Sequence, residues 1–172
     1  MKRLAIFCTL GCLLFTALAP AVAHAEDLRD AFLNRLRGIW KAEGKAFGME
    51  ANFSMKWEWV LQNRFIQLSY KIEMRGKDGQ PQIFEGTAFY KPAANGKYEG
   101  TWFDSQRSIH PLAATADSSA LTSFWGRPET EQGKSIYRLL DENRIEVVDA
   151  VRAKDGSWRE FSRNIFAREK NE

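Results

Sequence analysis

Aromatic residues make up most of the side chains in this sequence that are suited to holding a small molecule. The chain has six tryptophans and four tyrosines but only two histidines. Several of these rings fall on alternating positions and are predicted to face inward, namely Trp57, Trp59, Tyr70, Tyr90, Trp102 and Trp125. Such rings either fill a core or wall an apolar cavity in which Tyr hydroxyl and Trp N–H groups orient a ligand. Both interpretations of the group stay open at this point.

Arg64 is the candidate polar anchor for such a ligand. A turn around Gln62-Asn63 would bring it close to Trp57 and Trp59. If the guanidinium points inward, it can hold a carboxylate or phosphate through two parallel hydrogen bonds. If it points outward, it is a solvated arginine stacked over an aromatic ring.

A second group of polar residues follows Trp102 and Phe103. Asp104 is expected either to cap a turn or to line a barrel mouth beside Arg107 and His110. Asp104, His110 and Ser105 or Ser108 lie in one short stretch, and a hydrolase or isomerase at the barrel mouth would be built on these residues. A catalytic triad needs an oriented Ser–His pair, and the sequence has neither a G-x-S-x-G motif nor a phosphate loop.

No catalytic or metal-binding residue is predicted. Apart from His24 and His110 the chain has no histidine, and both cysteines, Cys8 and Cys12, lie near the N-terminus. A zinc shell of His and Cys ligands therefore cannot be completed, and no Asp-rich calcium loop is present. The candidate ligand-binding residues are Trp59, Arg64, Tyr70, Tyr90, Trp102, Asp104, His110 and Trp125.

The N-terminus has the features of a secretory signal peptide. Lys2 and Arg3 precede an apolar run that ends in Ala23-His24-Ala25. Cleavage after Ala25 predicts a periplasmic or secreted protein, without integral membrane insertion, of 172 − 25 = 147 residues and no cysteine. A transmembrane anchor and a lipoprotein attached at Cys12 are the alternatives.

The net charge argues against nucleic acid as a partner. The formal charge of +3 falls to +1 when Lys2 and Arg3 leave with the signal peptide. The remaining basic residues are interspersed with acidic ones, whereas nucleic-acid-binding proteins group them in patches.

A short helix is predicted at 26–37. After it, apolar residues recur at every second position, as in a β-strand, instead of at the helical spacing of three or four residues. Alternation with frequent turn signals predicts about ten strands, at 38–47, 49–61, 64–75, 80–91, 97–104, 108–116, 119–126, 133–141, 144–153 and 157–168. Antiparallel strands of this number are expected to close into an up-and-down β-barrel over 38–169, because closure removes exposed edges. An outer-membrane barrel is the alternative, but outward residues such as Lys56 and Glu58 are charged.

Gly38-Ile39-Trp40 resembles the G-x-W start of lipocalin-like, or calycin, β-barrels. The resemblance implies that Trp40 plugs one end of the barrel and that an arginine of the last strand lies across it, with Arg163 preferred to Arg168. Trp57-x-Trp59 followed by Asn63-Arg64-Phe65 is similar to a bacterial periplasmic family of unknown function, over about 36–168. That likeness implies a fold and little about function.

Haem is the cofactor that this resemblance raises. Nitrobindin-like relatives of calycins hold haem iron through a histidine near the C-terminal strands, and this chain has none after His110. Haem is therefore disfavoured, and no cofactor is expected.

The sequence thus predicts an exported carrier or sensor of a small apolar or amphipathic molecule, with the N-terminal helix as a candidate lid. A non-catalytic envelope interaction protein with a filled barrel is the first alternative. A hydrolase or isomerase at the barrel mouth is the second.

Overall fold

The computed structural model describes residues 31–76, 79–93 and 95–170. One helix is followed by ten strands: α1 (Ala31–Leu36), β1 (Gly38–Ala46), β2 (Met49–Val60), β3 (Phe65–Arg75), β4 (Pro81–Pro92), β5 (Lys97–Asp104), β6 (Ile109–Ala116), β7 (Ala120–Gly126), β8 (Gln132–Leu139), β9 (Arg144–Arg152) and β10 (Trp158–Arg168). The predicted signal peptide at 1–25 and the predicted start of the helix lie outside the described residues. In the part of the chain that is described, no helix is long and apolar enough to cross a membrane.

The strands form a closed antiparallel barrel in which each strand pairs with its neighbours in sequence and β1 pairs with β10. The predicted fold class, an up-and-down β-barrel of about ten strands after a short helix, is confirmed. Each strand begins and ends within two residues of its predicted limits.

Alternation along each strand decides which side chains enter the core. On β2 the residues Phe53, Met55 and Trp57 are buried, whereas Lys56 between them lies outside and pairs with Glu58 at 2.8 Å. Because successive side chains of a strand point to opposite faces, one face fills the barrel and the other is solvated.

Helix α1 closes one end of the barrel. Its residues Phe32, Leu33 and Leu36 are buried, and the indole N–H of Trp40 donates to the Leu36 carbonyl at 2.7 Å. Trp40 has no exposed surface, as expected for a plug. The expectation that α1 serves as a lid is wrong: it packs at this closed end, opposite the end where the interior opens.

Arg168, not Arg163, lies across Trp40. The Arg168 guanidinium carbon is 3.9 Å from the centroid of the indole. Trp40 and Arg168 are direct partners in the β1–β10 register. Arg163 points outward, where it pairs with Glu146 at 2.8 Å and Glu160 at 2.7 Å. The preference for Arg163 was wrong because alternate residues of β10 face outward, and Arg163 is one of them.

Gly38 makes the approach of Arg168 possible. It has a φ of +115°, and a Cβ at this position would lie 3.0 Å from Nη1 of Arg168. Glycine adopts such a φ without the steric penalty that other residues suffer. This explains the glycine of the G-x-W start in physical terms.

The barrel is filled near α1 and hollow near the other end. In the filled half, Trp57 packs edge-on against Tyr137 at 5.2 Å and stacks on Tyr90 at 5.9 Å between ring centroids. Phe53 and Phe166 meet at 5.7 Å. The rings of Tyr90 and Tyr137 form the boundary between this packed core and an open interior.

Candidate functional site

The interior of the barrel contains a cavity of about 250 Å³ at the end away from α1. Strands β3 to β9 supply most of its lining, and Phe47 and Phe161 stack at its rim with 4.7 Å between their ring centroids. The lining includes Tyr70, Phe84, Tyr90, Trp102, Asp104, His110, Ser123, Trp125, Glu131, Ser135, Tyr137, Asp149 and Val151.

Two tryptophans form the aromatic wall of this cavity because glycines make room for them. A Cβ on Gly86 would lie 1.9 Å from the Trp102 ring, and a Cβ on Gly133 would lie 1.9 Å from the Trp125 ring. Any larger residue would therefore force an indole out of place. Phe84 stacks with Trp102 at 6.3 Å and extends the apolar wall.

Asp149 is the charged residue of the inner cavity. The Ser135 hydroxyl donates to its Oδ1 at 2.6 Å, and the two residues are paired across β8 and β9. Burial raises the pKa of Asp149 to about 6, and the Ser135 hydrogen bond opposes this shift only in part. The side chain keeps some accessible surface because it lines the cavity.

Three tyrosines surround this carboxyl. Burial raises the pKa of Tyr90 to about 12 and those of Tyr70 and Tyr137 well above the usual value, and the charge of Asp149 adds to each shift. Tyr90 donates to the Ser123 hydroxyl at 3.0 Å. The Tyr70 hydroxyl is buried and has no hydrogen-bond partner among the described residues.

The mouth of the cavity carries Asp104 and His110, but they do not form a catalytic unit. Oδ1 of Asp104 accepts the backbone N–H groups of Gln106 and Ser108, and Oδ2 accepts the indole N–H of Trp102 at 3.1 Å. The His110 ring lies 5.5 Å from that of Trp125. Within the described ranges no hydrogen bond joins His110 to Asp104 or to a serine.

The charged residues that line the cavity are acidic. Asp104, Glu131 and Asp149 contribute carboxyl groups, and the lining includes His110 but no described lysine or arginine. No group of three or more His, Cys, Asp or Glu residues in 31–76, 79–93 and 95–170 is arranged to hold a metal ion. An arginine anchor for an anionic ligand is thus not part of the site.

Six of the candidate residues predicted from sequence line the cavity: Tyr70, Tyr90, Trp102, Asp104, His110 and Trp125. Two do not. Trp59 lies at the closed end, where its indole N–H donates to the Asn34 side chain at 2.8 Å. Arg64 is exposed beside the turn that joins β2 to β3. The interpretation of Arg64 as an inward anchor is corrected accordingly.

The sequence interpretation missed Asp149, Ser135, Ser123 and Tyr137. A signal was present for Asp149, because it continues the buried series Ile145, Val147 on alternate positions of β9. An acidic residue at a position that alternation assigns to the interior is rare unless it is paired or functional.

A second depression, of about 320 Å³, lies across β1 to β4. It is the more open of the two and includes the outward residues Lys56, Lys71 and Glu85. An open depression lined by solvated charges binds small molecules poorly, because a ligand site buries most of the surface of its ligand. The interior cavity is therefore the candidate site.

Solved structures with the same barrel include two proteins of low sequence identity. An S-type phycobiliprotein lyase, CPES from Guillardia theta, matches with a TM-score of 0.59 and 10% identity over 85% of this chain and 97% of that one. Rv2717c from M. tuberculosis matches with a TM-score of 0.55 and 16% identity over 80% of this chain and 95% of that one. At these identities the likeness establishes a shared calycin-like fold.

Sequence comparison gives a family without a function. No curated protein matches the chain significantly. A family model described as "protein of unknown function (DUF1579)" matches residues 28–168, which span the helix and the whole barrel. The chain belongs to this family, DUF1579.

Proposed function

We propose that this protein binds a small amphipathic molecule in the interior cavity of its barrel and acts, after export, as a carrier or sensor of that molecule. The observation that carries the proposal is a cavity of about 250 Å³ inside the barrel, with Trp102 and Trp125 as aromatic walls and the carboxyl group of Asp149 deeper inside. An amphipathic ligand would place its apolar part against Trp102 and Trp125 and its polar part toward Asp149.

The cavity volume limits the size of the ligand. It exceeds the roughly 150 Å³ of an engineered cavity that holds benzene and falls below the range of about 300–1,000 Å³ usual for drug-sized ligands. A molecule with a single ring and a short polar chain fits this range. The hollow interior also argues against the alternative of a filled barrel that acts only through its outer surface.

Catalysis is not part of the proposal. Within the described part of the chain, His110 has no hydrogen bond to a residue that could orient it as a general base, and Asp104 is already bonded to the turn and to Trp102. The fold shared with the phycobiliprotein lyase is compatible with small-molecule binding. The charged residues in the lining of this cavity are acidic.

Blocking the cavity should abolish binding. Val151 lines the cavity opposite Gly133, so the variant Val151→Trp fills space beside the Trp125 ring. Isothermal titration calorimetry with phenethylamine, phenethyl alcohol and 3-phenylpropionate should show at least one of them binding to the wild-type protein. Val151→Trp should weaken that binding by at least about tenfold, equal to 1.4 kcal/mol.

Ile165→Trp is the matched control, because Ile165 is 57% exposed on the outside of β10. It should bind as the wild type does, and both variants should retain the wild-type circular dichroism spectrum. Failure of all three compounds to bind, or unchanged binding by a folded Val151→Trp variant, would contradict the proposed function.

A further inference from the structure

We propose that the cavity selects ligands whose polar end is a positively charged nitrogen, held by Asp149, with the apolar body against the rings of Trp102 and Trp125. This inference rests on the proposed function and narrows the ligand to one chemical class, the organic ammonium ions. It replaces the anionic ligand that an inward Arg64 would have implied.

The sign of the charge in the cavity is the first observation. The lining has three carboxyl groups and no lysine or arginine among the described residues. Asp104 has both oxygens in hydrogen bonds to the turn and to Trp102. Asp149 differs from Asp104 because the hydrogen bond to its carboxyl group comes from Ser135 and engages Oδ1 alone. Burial and this hydrogen bond account for the shift of its pKa, with no contribution from a described cation.

An uncompensated buried carboxylate is costly to a folded protein. Buried charges in proteins are paired, bound to a metal ion or neutralised by a proton. No lysine or arginine among the described residues lines the cavity beside Asp149. A cationic ligand would supply the positive charge that pairs with this carboxylate. A neutral or anionic ligand would leave the charge uncompensated or add a repulsion.

The Tyr70 hydroxyl is a second, independent observation. Tyr70 lines the same cavity, and its buried hydroxyl has no hydrogen-bond partner among residues 31–76, 79–93 and 95–170. Asp149 lines the same cavity as Tyr70, and its charge adds to the burial that raises the pKa of Tyr70. A buried hydroxyl without a hydrogen bond costs about 1–3 kcal/mol by mutational measures, so a ligand donor at this position would be favourable.

A primary ammonium group has the donors that this region lacks. It carries three N–H groups and no acceptor. Its acceptors would be the Asp149 carboxylate and the Ser135 hydroxyl on adjacent strands and the Tyr70 hydroxyl from across the barrel. The rings of Trp102 and Trp125 would contact the apolar body of the same ligand.

The charge pairing makes binding pH-dependent. Ser135, Tyr137 and Ser162 adjoin Asp149 on the neighbouring strands, and Tyr70 and Tyr90 face it from across the barrel. The tyrosines stay neutral because burial raises their pKa values. Asp149 takes up a proton near its pKa of about 6 and then loses its attraction for a cation. His110, Asp104 and Glu131 are the other titratable residues of the lining.

Calorimetry with three compounds of equal ring size tests this inference. The wild-type protein at about pH 7.5 should bind phenethylamine at least about tenfold more tightly than phenethyl alcohol or 3-phenylpropionate, as expected for a charge-assisted hydrogen bond in an enclosed site. Asp149→Asn should remove this preference while changing the affinity for the alcohol by less than about threefold. Lowering the pH to about 5 should weaken binding of the amine alone.

Glu131→Gln is the matched control, since it removes a carboxyl group at the mouth and leaves Asp149 in place. It should keep the preference for the amine. Binding of the alcohol or the acid as tightly as the amine would overturn the inference and leave the proposed function standing. An amine preference that persists in Asp149→Asn would also overturn it, whereas no binding by any compound would overturn both.

Discussion

Arg168→Ala should destabilise the barrel by about 2–4 kcal/mol, whereas Arg163→Ala should cost less than about 1 kcal/mol. Both arginines belong to β10, and both are surrounded by hydrogen-bond acceptors. Their expected contributions differ because one joins the helix to the barrel and the other makes ion pairs in water.

Arg168 holds the closed end of the barrel together through all parts of its guanidinium. Nε donates to the Glu142 carbonyl at 2.8 Å, Nη2 to the Arg35 carbonyl at 2.6 Å, and Nη1 to the Arg37 carbonyl. The carbonyls of 35 and 37 flank the C-terminus of α1, which has no further helical turn to satisfy them. Alanine would remove these hydrogen bonds and would uncover the ring of Trp40.

Urea unfolding followed by circular dichroism measures both variants. Arg168→Lys should be intermediate, because an ammonium keeps the charge but cannot reach three carbonyls in the fixed geometry of a guanidinium. Equal losses in Arg168→Ala and Arg163→Ala would contradict the assignment of Arg168 as the residue that secures α1.

Asp149→Asn should stabilise the ligand-free protein at about pH 7.5 by up to about 3 kcal/mol and should have little effect near pH 4. The pKa of Asp149 is raised from 3.8 to about 6, so the folded state holds this proton more tightly than the unfolded chain does. The favourable contribution of the proton is complete below pH 4 and is lost as the pH rises through about 6. Asparagine resembles the neutral acid and has no charge to bury.

The difference in unfolding free energy between wild type and Asp149→Asn, measured from pH 4 to 8, isolates this residue from the other carboxyl groups. Asp155 provides a control of opposite sign, because hydrogen bonds from Ser157 lower its pKa in an exposed turn. Asp155→Asn should bring no stabilisation at neutral pH. A difference for Asp149→Asn that stays flat across this range would disprove the burial of an unpaired carboxyl in the cavity.

Strand limits and barrel closure could be predicted from the sequence because each depends on local regularities. Period-two alternation identifies the buried face of a strand, and short turn segments fix antiparallel pairing. The same alternation also placed Tyr70, Tyr90, Trp102 and Trp125 on the interior face, where the structure has them.

The residues that were misplaced show what alternation cannot give. Trp57 and Trp59 share a face, but position along the barrel axis decides that Trp57 enters the packed core and Trp59 reaches the helix. Arg64 follows three residues with positive φ, at 61–63, and this left-handed turn leaves it outside. Such depth and turn geometry depend on contacts between distant parts of the chain.

Asp149 was missed for a different reason. A single acidic residue in a β-strand has no sequence motif around it that marks it as part of a binding site. The sequence shows that Asp149 lies on the same face of β9 as Ile145 and Val147. That this face shares a cavity with Tyr70 of β3 depends on the closure of the barrel. Closure of the barrel is therefore what assembles the site.

The most direct test of an interior ligand site is a crystal structure of the protein with phenethylamine at about pH 7.5. The structure should show the ring of the amine against Trp102 and Trp125 and its nitrogen within about 3 Å of an Asp149 carboxylate oxygen. An amine bound only in the outer depression by Lys56 and Lys71, or a cavity closed by its own side chains, would contradict a ligand site inside the barrel.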